Sequence, residues 1–174
     1  MSNSKYILLV IAFGLSACNG DKGTAKNETA NAAAAAPKKA ELAGDWSATA
    51  PVVSDEDDMT VKMNNLRYTY FSDNKLSFSG QLSLSGGDLP DTLNFRVNGD
   101  GSYIKEGEVL RQDIEKLSLA PSTNGETEQA IAKELEKVLR REPSSIHDVL
   151  ELTDKKLRLR DRNTGKIIEM ARGA

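Results

Sequence analysis

At 174 residues the chain accommodates one domain or at most two small ones, and its 39% apolar and 28% charged residues, with a net charge of −3, describe a soluble average. That balance argues against nucleic acid as the main partner, because neutralising phosphates needs a basic face. One cysteine and one histidine leave no pair for a disulfide and too few ligands for a zinc site, so no metal and no cofactor is expected.

The N-terminus departs from the average. Lys5 precedes a ten-residue apolar run, Tyr6 to Leu15, which falls short of the roughly 20 residues that span a bilayer as a helix. It has the length and charged flank of a signal-peptide core. The run ends in Leu15-Ser16-Ala17-Cys18, which resembles the lipobox of bacterial lipoproteins. The resemblance implies that residues 1–17 are a signal peptide removed on export. It implies that Cys18 is lipidated through its thiol and acylated on its new amino group, with chains such as palmitate, so that the lipid bilayer is a partner. Several acyl chains hold where a single one is marginal. Asn19, where Asp would favour retention in the inner membrane, implies sorting to the outer membrane. An ordinary secretory signal with a chance cysteine is the alternative reading.

Residues 18–40 follow as the lipidated Cys18 and a tether. Asn19 to Ala40 holds no large apolar residue and is rich in Ala, Asn, Gly, Thr and Lys, a composition that cannot bury a core and reads as disordered. The chain's charge divides into +1 on the leader, +2 on the tether and −6 from residue 41 onward.

From Glu41 the pattern becomes period-two alternation, the mark of strands with one buried face. Met59, Val61 and Met63 form one inward set and Leu66, Tyr68 and Tyr70 the next. Leu76, Phe78, Gly80, Leu82 and Leu84 then alternate with Ser77, Ser79, Gln81, Ser83 and Ser85. Leu93 to Val97, Tyr103 to Leu110 and Ile114 to Leu119 continue the series. Ser72 to Lys75 reads as a turn, and Asn98-Gly99-Asp100-Gly101 as a tight hairpin between two strands. Glu126 to Arg141 carries a helical apolar stripe, with Thr123 and Glu126 as a capping box and Pro143 as its stop. It is expected against the sheet or over one end of a barrel. Ile146 to Leu152, Lys156 to Arg160 and Lys166 to Ala171 are the closing strands. Nine or ten short strands with one helix suggest an antiparallel barrel or sandwich. A membrane barrel is excluded, because the outward faces carry Lys, Arg, Glu and Ser where lipid demands an apolar band.

The first of these strands contains Gly44-Asp45-Trp46. A Gly-x-Trp tripeptide opening an antiparallel barrel resembles the lipocalins and bacterial lipocalin-like domains. The segments Phe71 to Phe78, Gly101 to Leu110 and Ile146 to Arg160 are similar to later hairpins of the same group. The resemblance spans residues 41–174 and implies an all-β, up-and-down, lipocalin-like barrel of about 8–10 strands. It also implies that Trp46 closes the barrel base beneath an arginine from the far end of the chain, with Arg172 the candidate and Arg160 the fallback.

Chemistry is sparse. His147 lacks an evident nucleophile and orienting partner and reads as a surface or strand-edge residue, and no Gly-x-Ser-x-Gly elbow is present. Asp55 to Asp58 reads as a solvated acidic run rather than a calcium site. No catalytic residue is therefore nominated. The inward aromatics Tyr68, Tyr70, Phe78, Phe95 and Tyr103 are the candidates to line a cavity, should the barrel hold one. The expected function is non-catalytic binding of a small hydrophobic or lipid-like ligand by a monomeric, outer-membrane-anchored lipoprotein. The alternative is an envelope interaction or assembly protein, or an enzyme inhibitor, acting through its surface.

Overall fold

The computed structural model describes residues 41–173, apart from 57, 88, 90, 124 and 142. The expected signal peptide, Cys18 and tether lie outside them. The elements run β1 (Gly44–Ala48), β2 (Val52–Glu56), β3 (Met59–Tyr70), β4 (Lys75–Gly86), β5 (Leu93–Glu106), β6 (Val109–Pro121), α1 (Glu126–Leu139), β7 (Ser144–Leu152), β8 (Lys156–Asp161) and β9 (Ile167–Arg172).

From β2 to β9 each strand pairs with its neighbour in the chain, and β1 pairs with both β9 and β3, all antiparallel. The ring β1, β3 to β9 therefore closes as an eight-strand, lipocalin-like barrel with one helix before its last strands. Closure leaves no exposed sheet edge around most of the ring. β1 and β2 divide β3 between them. β1 lies along Arg67 to Tyr70 and β2 along Met59 to Met63, with Pro51 in the gap, where a missing N–H costs no ladder bond. Asp55 and Glu56, the start of the acidic run, thus belong to a hairpin strand.

The alternation maps directly onto inside and outside. The break in phase between Met63 and Leu66 is a β-bulge: the β3–β4 register shifts between Asn64 and Arg67, and Asn65 takes φ 51°. One bulge keeps both inward sets on the core.

The expected hairpin at Asn98–Gly101 is not there. β5 runs unbroken through it, and the turn comes at Gly107, φ 58°. Gly99 and Gly101 serve close approach instead: a Cβ on Gly99 would overlap the Phe78 ring, and one on Gly101 would overlap the Asp113 carbonyl. The capping box is also absent. The N-cap of α1 is Gly125 with no side-chain cap, and Thr123 bonds Glu128 rather than serving Glu126. The Glu136–Arg140 pair is present at 3.4 Å.

The core divides along the barrel axis. Trp46, Tyr70, Leu76, Leu110, Leu157 and Met170 fill one end, here called the base. Leu82, Leu84, Phe95, Val97 and Leu117 fill the other, where α1 lies across with Ala132 buried and Ile131, Leu135 and Leu139 packed inward.

Candidate ligand site

The base is closed. Trp46 is fully buried, and its indole Nε1 donates to the Leu42 carbonyl at 2.7 Å. The Arg172 guanidinium lies over the indole, 4.4 Å from its centroid, and donates to the carbonyls of Ala43 and Glu41. Gly44 sits at φ +134° with a Cβ position 2.6 Å from Arg172 Nη1. These facts give the Gly-x-Trp tripeptide a physical meaning. The glycine admits the arginine, and the arginine covers the tryptophan while tying down the incoming chain.

Four of the five nominated aromatics form a continuous stack above that plug. Tyr68 and Tyr70 stack at 5.8 Å, Tyr68 and Phe78 meet at 5.7 Å, and Tyr70 meets Tyr103 edge-on at 5.1 Å. Tyr103 donates to the Phe71 carbonyl at 2.7 Å. Phe95 stands apart in the second core cluster. Burial pushes the Tyr68 hydroxyl up to about 12, with the charge of Asp161 adding to it, and raises Tyr70 and Tyr103 as well. None of the three ionises near neutrality. The stack works as packing for the barrel's lower half.

Beside it lies a buried polar chain that alternation hid. His147 is 5% exposed, not at the surface as its isolation in the sequence suggested, and Gln112 is 2% exposed. Gln112 donates from Nε2 to the Tyr70 hydroxyl, and its Oε1 lies 3.2 Å from His147 Nε2. Ser145 Oγ stands 3.0 Å from the same nitrogen. On the far side of the ring, His147 Nδ1 has no hydrogen-bond partner and faces Asp161 Oδ2 at 3.7 Å. Burial pulls the His147 pKa below its ordinary 6.5, against the opposing pull of Asp161 and Asp148. The imidazole is thus neutral at pH 7. A usable signal existed: His147 has the parity of Val149, and Gln112 that of Leu110, so both belong to inward faces.

At the helix end the packing is incomplete. A cavity of about 280 Å³ opens between β2, β3, β4 and the inner side of α1, walled by Val61, Met63, Leu82, Leu84, Leu135 and Leu139. Its polar lining comes from Ser54 and from Asp161, Thr164 and Lys166 at the β8–β9 turn. A second cavity of about 280 Å³ lies under α1 against Met59, Leu89 and Ile131, and shares Leu84 and Leu135 with the first. Each approaches the lower end of the roughly 300–1,000 Å³ usual for small-ligand sites. The five aromatics line neither. Among the described residues no group of three or more His, Cys, Asp or Glu is placed to hold a metal ion.

No family model matches the chain, and no curated protein does. Four solved chains are similar to it; one is the crystal structure of an uncharacterized protein from Bacteroides eggerthii, 16% identical, with a TM-score of 0.43, covering 76% of this chain and 100% of the other. A likeness of that degree carries no argument about activity or ligand.

Proposed function

We propose that this chain is a lipid-anchored, lipocalin-like lipoprotein of the outer membrane that binds a small hydrophobic or lipid-like molecule without catalysis. The observation that supports the reading is the pair of adjoining apolar cavities beneath α1, in a barrel whose other end is tightly packed. Burying apolar surface there contributes roughly 25 cal/mol per Å² to binding. The helix is held from one side, with Arg140 donating to the Leu117 carbonyl at 2.7 Å, and it is the element that would yield to admit a ligand.

The test uses N-phenyl-1-naphthylamine, an apolar dye that brightens out of water. The mature chain with Cys18→Ser, which removes the anchor's own acyl chains, should bind it saturably. Leu84→Trp, which fills the wall common to both cavities, should abolish the enhancement. Absence of saturable binding would remove the reading. Palmitate labelling and detergent partitioning of the wild-type chain, both lost in Cys18→Ser, test the anchor independently.

The surface-acting alternative has one observation in its favour. The outer face of β3 to β5 holds a broad polar depression floored by Ser79 and Asn98, with Arg67 and Arg96 beside it. Neither arginine forms an ion pair among the described residues. Specific capture of an envelope protein that is lost in an Arg67→Ala, Arg96→Ala double variant would favour it.

A further inference from the structure

Within the ligand-binding reading, on which this rests, we infer that the ligand's polar end is a positively charged hydrogen-bond donor, a primary amine on an apolar body, received by Asp161.

The polar groups of the cavity wall are mostly spent. The Lys166 ammonium donates to the Val53 carbonyl at 2.7 Å, and the Thr164 hydroxyl donates to Asp161 Oδ1 at 2.9 Å. That same Oδ1 also accepts the backbone N–H groups of Asn163 at 3.0 Å and Thr164 at 2.7 Å. Asp161 Oδ2 is different. It makes no hydrogen bond among the described residues: His147 Nδ1 stands 3.7 Å away, beyond hydrogen-bond distance, and that nitrogen is itself buried without a partner.

Charge gives this wall its specificity. The Asp161 side chain is 13% exposed, and the three donors that meet it all go to Oδ1. The neighbouring cations turn away. Arg160 and Arg162 both point outward to Asp148, at 2.7 Å each. His147 is neutral; its Nε2 lies within reach of Gln112 Oε1 and Ser145 Oγ, and its Nδ1 stands beyond hydrogen-bond distance of Asp161 in either tautomer. Asp161 therefore brings to the cavity wall a carboxylate oxygen, Oδ2, that makes no hydrogen bond among the described residues. An ammonium brings three N–H donors and a charge to that position, with its chain lying along Val61, Leu82, Leu84 and Leu135. A fatty acid would bring a second carboxylate to the same wall, leaving Lys166 alone to oppose the repulsion.

The experiment competes dodecylamine, dodecanol and dodecanoate against bound N-phenyl-1-naphthylamine on the mature Cys18→Ser chain. The amine should displace the dye at a concentration at least about tenfold below the acid, as a charge-assisted pair in a mostly dry site requires. Asp161→Asn keeps Oδ1 as the turn acceptor and should reduce that preference to near unity while the dye still binds. Should that variant not fold, the wild-type ratio of amine to acid decides alone. Dye binding with no amine preference, or with preference for the acid, overturns this inference and leaves the ligand site standing. Failure of the dye to bind removes both.

Discussion

The two ends of this barrel are built from similar residues and arrive at opposite results. At the base, large side chains meet a backbone shaped to receive them: Trp46, fully buried, is covered by an arginine that only a glycine at position 44 admits. At the helix end, Leu, Val and Met pack into a second cluster but leave cavities beside it, and the closing element is a half-buried helix rather than a strand. Density at the base fixes the fold, and its lack under α1 leaves room for something else. The lesson is that an inward apolar pattern specifies a barrel's interior without specifying that it is full. Whether it fills depends on side-chain size and on what crosses the opening.

Substitutions should separate the ends, the base suffering most. Trp46→Ala should lower the stability of unfolding by about 3–5 kcal/mol, read from urea denaturation. Gly44→Ala combines a backbone conformation that side chains disfavour with displacement of Arg172, and should cost about 2 kcal/mol. Leu139→Ala, at the helix end, should cost about 1 kcal/mol, because its side chain is partly buried beside a space that already exists. Equal losses from Trp46→Ala and Leu139→Ala would erase the contrast between the ends.

A smaller effect is expected between them, at His147. Its pKa is depressed in the folded chain and ordinary, 6.5, when unfolded. As the pH falls below that value the unfolded chain takes up a proton that the folded chain refuses, so stability declines on acidification through this window. The urea midpoint should drop between about pH 7.5 and about pH 5.5, and His147→Gln should flatten that part of the curve. A wild-type midpoint that rises over the same range would mean that Asp161 holds the imidazolium inside.

Much of the barrel was legible in the alternation of single residues. The phase break between Met63 and Leu66 marks a real bulge, and the turn at Ser72 to Asn74 falls where the strands reverse. Other features were hidden because one residue type serves two physical ends. Gly99 and Gly101 have the composition of a turn, yet they stand in mid-strand because Phe78 and the Asp113 carbonyl need the space. Asp55 is solvated as its composition suggests, yet strand pairing uses its backbone, which composition does not reveal. For the candidate site, alternation placed the aromatics inside but was silent on volume. The contact of His147 with Asp161 joins residues on different strands through a register that no local pattern encodes.

The seam that completes the ring joins Trp46, Ser47 and Ala48 to Met170, Ala171 and Arg172. These partners stand at opposite extremes of the folded sequence, so closure is the contact of longest loop, and topologies dominated by such contacts fold on the slow side, in milliseconds to seconds. A chain delivered from its N-terminus by the ribosome holds β1 with one flank open until β9 emerges. For that interval Trp46 has neither its arginine cover nor a closed wall around it. The barrel's final step is thus timed by the arrival of its last strand, and the β1 edge is the surface that a chaperone would have to shield until then.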